Sequence, residues 1–241
     1  MKVNIEDIYE KTLEHYSKAK ENLLKSEAFF EHSAAISNAI PGFDAEKLEF
    51  GSYDKENFAV LFVDMRLSTK RAKLFGAQIT FLTMHVFLTA LLEVVKCYNG
   101  KVIDIMGDGL MVFWGGKNAR EKKGETNSLA IKQAGLCGRD MLLIRDRVIN
   151  PIIKNNNLGS QISIGVGVTF GSVIVMKIGI SDSYDVKAFG DCINTASKYA
   201  DSVFNKVKVS KKIKNEWPSS KGGKIRFISS GNDSFLLETS K

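Results

Sequence analysis

Hydrophobic positions along this chain return with two different periods. Ile5, Ile8, Tyr9, Leu13, Tyr16, Leu23, Leu24, Phe29 and Phe30 recur at helical spacing, which predicts one amphipathic helix over residues 5–39, stopped by Pro41-Gly42. Residues 42–56 are more polar and read as a linker. The run Phe58-Ala59-Val60-Leu61-Phe62-Val63 reads as a buried strand ending on Asp64, and Ser68 to Tyr98 as a long helix closed by Asn99-Gly100. Residues 101–106 and 110–114 form a predicted hairpin around Gly107-Asp108-Gly109. A basic loop from Gly115 to Gly124 leads to a second long helix over 126–149, closed by Asn150-Pro151. Residues 161–170 alternate Ile162, Ile164, Val166 and Val168 with Gly165 and Gly167, a strand with close backbone neighbours, and Gly171 is expected to turn it into a partner strand over 172–178. A short helix follows Gly190 as far as Ala200, then short strands. Strand, helix, strand, strand, helix, strand is the split βαβ order of a ferredoxin-like α+β fold, an antiparallel sheet with flanking helices. The expected organisation is an N-terminal helix (1–41), a linker (42–56) and a body (57–241).

A chain of 241 residues, 44% hydrophobic and 25% charged, buries a proper core without covalent staples. Cys97, Cys137 and Cys192 are odd in number and far apart, which fits a reducing compartment. The first residues lack the apolar stretch of a signal peptide. The most apolar segment, Phe81 to Val95, carries His85 and Glu93 and is shorter than a bilayer requires. A cytoplasmic protein with no membrane span is the expectation. The net charge of +7 is concentrated: residues 205–226 hold eight basic side chains against Glu216 alone. That segment is either a solvated lysine-rich face or an anion site; without interleaved aromatics, nucleic acid is the weaker ligand.

The candidate chemistry rests on two aspartates. A carboxylate at the end of a buried strand is costly unless a cation neutralises it; Asp64 ends one strand, and Asp108 sits in the turn between two neighbouring strand-like runs. Such a pair is able to hold two Mg²⁺ or Mn²⁺ ions, the arrangement used for in-line phosphoryl chemistry; Mg²⁺ takes few carboxylates and keeps water and phosphate ligands. Asn194 and Lys198 are four apart and therefore share a helix face.

Three motifs follow one another in order: Phe62-Val63-Asp64-Met65-Arg66-Leu67-Ser68, Ile105-Met106-Gly107-Asp108-Gly109-Leu110-Met111, and Gly190-Asp191-Cys192-Ile193-Asn194-Thr195-Ala196-Ser197-Lys198. Over roughly residues 57–210 the chain resembles class III nucleotidyl cyclases. The resemblance implies a homodimer with composite sites, in which the 3′-hydroxyl of a nucleoside triphosphate attacks the α-phosphorus and expels pyrophosphate. It assigns metal binding to Asp64 and Asp108, ribose orientation to Asn194 and charge stabilisation at the α-phosphate to Lys198. The family has arginine at that last position, so the charge is kept and the bidentate fork is lost.

The resemblance also places base recognition at Asp104 and Lys187. An acceptor at Asp104 and a donor at Lys187 do not suit adenine; they suit guanine or uracil, and cytosine is able to donate its amino group to Asp104. An Asp104–Lys187 salt bridge that touches no base is the plainer reading. The family arginine after the glycine of the fourth strand is replaced by Ser172, which leaves Lys177, Lys221, Lys224 and Arg66 as candidates for the triphosphate, together with the backbone amides of residues 65–68. Val175-Met176-Lys177-Ile178-Gly179 and the Ala196-Ser197-Lys198 ending resemble the bacterial pyrimidine cyclases of Pycsar antiphage systems, which make cyclic UMP or cyclic CMP to activate a separate effector. UTP ahead of CTP is the expected substrate. Guanylate or adenylate cyclase, or a cyclase-homology module that binds without turnover, are the alternatives.

Overall fold

Strand β1 (Tyr53–Met65) sends Ala59, Leu61, Val63 and Met65 to one face and Phe58, Val60 and Phe62 to the other. Both sets are buried, so this strand must lie at the centre of a sheet covered on both sides. The structure, a computed structural model, describes residues 2–24, 40, 43, 48–116, 127–180, 183–218 and 223–239. The remaining elements are α1 (Ile5–Leu24), α2 (Ser68–Cys97), β2 (Lys101–Met106), β3 (Gly109–Gly115), α3 (Asn127–Ile144), a π-helical turn (Arg145–Ile149), α4 (Asn150–Asn155), β4 (Ile164–Ile180), β5 (Ser183–Phe189), α5 (Asp191–Asp201), β6 (Lys206–Ser210), α6 (Lys211–Asn215), β7 (Ile225–Ser229) and β8 (Ser234–Thr239).

The sheet order is β2-β3-β1-β4-β6-β8-β7, with β5 paired to β4. Its first four strands are antiparallel in the ferredoxin-like order, and β6 joins β4 in parallel, so the whole sheet is mixed. Helices α1 to α4 cover the face carrying Leu61 and Val63, with Ile8 and Tyr16 of α1 in the same apolar cluster. Helix α5 covers the other face beside Val60, Phe62, Ile103, Met111 and Val173. Helix α2 is long and apolar enough to cross a membrane by length and composition alone. Here it buries Leu82, Val86, Phe87, Ala90, Leu91 and Val94 against the protein.

Several boundaries differ from expectation for physical reasons. The first strand begins at Tyr53, inside the expected linker, because β4 runs unbroken to Ile180 and pairs with it from Tyr53 to Met65. Gly171 is therefore not a turn. A side chain there would meet Cys192, so its glycine makes room for the start of α5. The partner of the far half of β4 is β5, not residues 172–178. Pro151 does not close the long helix, since it occupies the first turn of α4, where its missing N–H is harmless. Residues 25–39, the Pro41-Gly42 stop and loop residues 117–124 lie outside the described residues.

Gly165 and Gly167 do what their alternation suggested. A Cβ at either would lie inside the carbonyls of Ala200 and Ala196 on α5. The helix thus rests directly on the backbone of β4, with Ala196 and Ala200 buried in the contact. Gly167→Ala must push α5 off the sheet; we expect a loss of about 3 kcal/mol and a thermal midpoint lower by roughly 6–12 °C in scanning calorimetry. An unchanged midpoint would show that α5 has slack.

Candidate active site

The end of β1 brings the two aspartates together. Asp64 faces Gly109 of β3 and Gly165 of β4, and the Met65 amide donates to the Asp108 carbonyl at 3.3 Å, tying the hairpin turn to β1. Gly109 packs beside the Asp64 carboxylate, at a distance where a Cβ would be in ordinary contact with Oδ1 at 3.6 Å. Burial and then the charge of Asp108 raise the Asp64 pKa, and together they outweigh the opposing effect of Arg66. Asp108 Oδ2 is buried without a hydrogen-bond partner. A buried, unpaired carboxylate oxygen beside a second carboxylate is the electrostatic signature of a cation site. No group of three or more His, Cys, Asp or Glu side chains able to hold a metal occurs among the described residues. A divalent ion here would therefore complete its shell from water and phosphate, as Mg²⁺ readily does.

Above the carboxylates lies an open cleft of 530 Å³ lined by residues 64–70, Lys73 and Asp108. Its far wall is the start of α2. Leu67 adopts a left-handed conformation (φ 60°), and the first helical bond runs from the Arg71 amide to the Leu67 carbonyl at 2.9 Å. The amides ahead of Arg71 have no intrahelical acceptor, and the helix dipole adds positive potential. The amides of Met65 and Arg66 are already used, the latter donating to the Ser163 carbonyl at 2.8 Å. The expected backbone anion cradle thus begins at Leu67 rather than at residue 65.

Arg66 is not a free phosphate ligand. Its side chain is only 10% exposed and pairs with Asp64 Oδ2 and, at 2.8 Å, with Asp201 Oδ1 at the end of α5. It neutralises the strand-end carboxylate from within. Lys177 is also committed elsewhere, with its ammonium 3.8 Å from the Tyr184 ring centroid and 4.8 Å from that of Phe50. Lys224 precedes the edge strand β7, four strand spacings from β1, or about 19 Å. Neither lines the cleft of its own chain. Lys221 lies outside the described residues. Within the basic segment, Lys212 and Lys214 lie over the rings of Phe170 and Phe235, and Lys211 pairs with Asp233 at 2.9 Å. That is the solvated, snorkelling arrangement rather than an anion stripe.

Asn194 and Lys198 lie on the exposed stripe of α5 with Asp191 and Asp201, because Ala196 and Ala200 take the buried side. They do not line the cleft of their own chain. On β2, a register shift between Val102 and Asp104 pairs Asp104 with Met111, which turns it to the α5 face of the sheet. Lys187 bonds Asp185 at 2.7 Å, not Asp104. Asp185 first, and Asp104 more weakly, hold its ammonium above the ordinary lysine pKa. Asp185 was invisible as a partner because strand neighbours two apart share a face only once the strand is known. Lys70 and Lys73, which line the cleft, were also missed; their signal is a one-turn spacing just after the Asp64 strand.

Residues 50–223 match the family described as adenylate and guanylate cyclase catalytic domain. A cytidylate cyclase of Escherichia coli is 26% identical over 141 residues, covering 57% of this chain and 30% of that protein. A uridylate cyclase of Gulbenkiania mobilis is 27% identical over 168 residues, covering 67% of this chain and 62% of that protein. The chain thus spans less than two thirds of the length of either relative. Among solved structures, the adenylyl cyclase CyaB from P. aeruginosa has a TM-score of 0.66 at 16% identity, covering 79% of this chain and 97% of that one. The guanylyl cyclase Cya2 has a TM-score of 0.61 at 17% identity, covering 76% and 91%. At these identities the two structures share the fold. With about three quarters of its length matched by the family and its paired aspartates at the end of the central strand, the chain belongs to the class III adenylate and guanylate cyclase catalytic domains.

Proposed function

We propose that this protein is a pyrimidine nucleotidyl cyclase, acting as a homodimer on UTP ahead of CTP. The observation that carries the catalytic part is the orphaned Asp108 carboxylate oxygen facing Asp64 beneath the amide-lined start of α2. Asp64 and Asp108 would hold two Mg²⁺ or Mn²⁺ ions, which when bound lower the pKa of a 3′-hydroxyl and offset the charge of the triphosphate. Asn194 orients the ribose, and Lys198 meets the charge that develops at the α-phosphate as the 3′-oxygen bonds to phosphorus and pyrophosphate departs. The hydroxyl proton leaves to solvent.

Two observations support composite sites. The side chains of Asn194 and Lys198 are exposed, lack a partner among the described residues and are separate from the metal cleft of their own chain. The β4–β5 hairpin exposes Ile178, Ile180, Tyr184 and Phe189, with Tyr53 beside it, an apolar surface suited to a second copy. Each site then takes its aspartate pair from one protomer and its Asn194, Lys198, Asp104 and Lys187 from the other.

The base preference rests on Asp104 and Lys187, which share an electrostatic field within one chain. Asp104 accepts from the ring N–H of uracil or the amino group of cytosine, and Lys187 donates to a neighbouring carbonyl or ring nitrogen. The likeness to proteins named cytidylate and uridylate cyclase points the same way. A cytoplasmic cyclic pyrimidine nucleotide made for a separate antiphage effector is the biological role this reading implies.

Incubation with ATP, GTP, CTP and UTP separately, in Mg²⁺ or Mn²⁺, should yield cyclic UMP foremost and cyclic CMP second by mass spectrometry. Cyclic GMP alone would keep the fold chemistry and sink the pyrimidine reading, while no product from any nucleotide would favour a binding module. Asp108→Asn should lower kcat by at least about a hundredfold without lowering the thermal midpoint. Asp64→Ala and Asn194→Ala chains, each inactive alone, should recover about one quarter of wild-type activity when mixed and allowed to exchange subunits. Mixed dimers that stay inactive would rule out shared sites.

A further inference from the structure

Among the described residues, every cation near the end of β1 except two is already engaged. Arg66 is shared between Asp64 and Asp201. Arg71 donates to the carbonyls of Leu158 and Ser160. Lys70 and Lys73 remain: both are exposed, both line the cleft over Asp64 and Asp108, and neither has a hydrogen-bond or ion-pair partner among the described residues. Three residues apart on α2, they are neighbours on one helix face, Lys70 among the free amides and Lys73 one turn beyond.

We propose that Lys70 and Lys73 grip the terminal phosphates of the nucleoside triphosphate and so determine its affinity. The inference rests on the cyclase reading above. Charge balance supports it: two divalent ions offset an ionised triphosphate, which leaves Asp64 and Asp108 uncompensated, and two ammonium groups close that deficit. Arg66, shared between Asp64 and the exposed Asp201, closes only part of it. The orphaned Asp108 oxygen marks where the cations belong, and the lysines stand on the opposite, α2 side of the same cleft, where an anion bound to those cations must extend. Lysine fits this role because a hydrated point charge on a flexible stem follows a phosphate tail that must leave as pyrophosphate, where a rigid fork would retain it.

Phosphate grip and turnover are separable by experiment. Isothermal titration of the full chain with inorganic tripolyphosphate in saturating Mn²⁺ should show binding that weakens about tenfold for Lys70→Ala and for Lys73→Ala. Lys73→Arg should restore affinity to within about threefold. Lys96→Ala, an exposed lysine near the end of α2 beyond the break at Gly76, should change nothing. Binding of Mn²⁺ alone, read by electron paramagnetic resonance, should not weaken in the lysine variants, because neither lysine is a ligand. In turnover, KM for the preferred nucleotide should rise by the same factor, with kcat within about threefold of wild type. The proposal fails if the wild type does not bind tripolyphosphate, or if both lysine variants bind it as tightly as wild type. Lysine-dependent binding in a protein that makes no cyclic nucleotide would overturn the cyclase reading and leave this one standing. Full turnover with unaltered affinities in both variants would do the reverse.

Discussion

Asp64 and Asp108 are two carboxylates held against each other at the end of the central strand, and the surrounding structure is arranged around the cost of holding them. Ladders on both sides of β1 and the bond from the Met65 amide to the Asp108 carbonyl keep them close. Burial and mutual repulsion raise the Asp64 pKa. Arg66 relieves part of that repulsion from inside the protein, and Asp201 in turn shares Arg66. The field left over points into an open cleft whose opposite wall is positive, through the free amides and lysines of α2. That arrangement suits the divalent cations and the polyanionic substrate proposed above.

The same ion pairs link the end of β1 to α5. Asp201 ends the stripe that carries Asn194 and Lys198, and Arg66 ties that end to Asp64. Along its length, α5 is held by backbone contact with Gly165 and Gly167. The helix is thus fixed at its foot by charge and along its body by steric fit. Its exposed stripe is presented outward and does not line the cleft of its own chain.

Among the described residues, the lysines of the basic segment do not line this cleft. Lys208, Lys212 and Lys214 lie over aromatic rings and Lys211 pairs with Asp233, which suits solubility and packing. The lysines that line the cleft, Lys70 and Lys73, lie instead near the start of α2. Net charge along a sequence locates neither, because a lysine's effect depends on which carboxylate or ring it reaches in space.

The amino-acid sequence by itself determined the order of the core elements, the strand-end Asp64, the hairpin Asp108, the Asn194–Lys198 face and the need for glycine at 165 and 167. These follow from hydrophobic period and motif spacing, which are local. Tertiary structure alone decided where the cations go: Arg66 inward, Lys177 between Phe50 and Tyr184, Lys187 onto Asp185, Lys70 and Lys73 over the cleft. It also decided that Gly171 clears a path for Cys192 instead of turning the chain, and that an irregular register on β2 turns Asp104 toward α5. Those outcomes depend on contacts between residues far apart in sequence. A long, flexible charged side chain chooses among partners by distance in the folded state, and no local period encodes that distance.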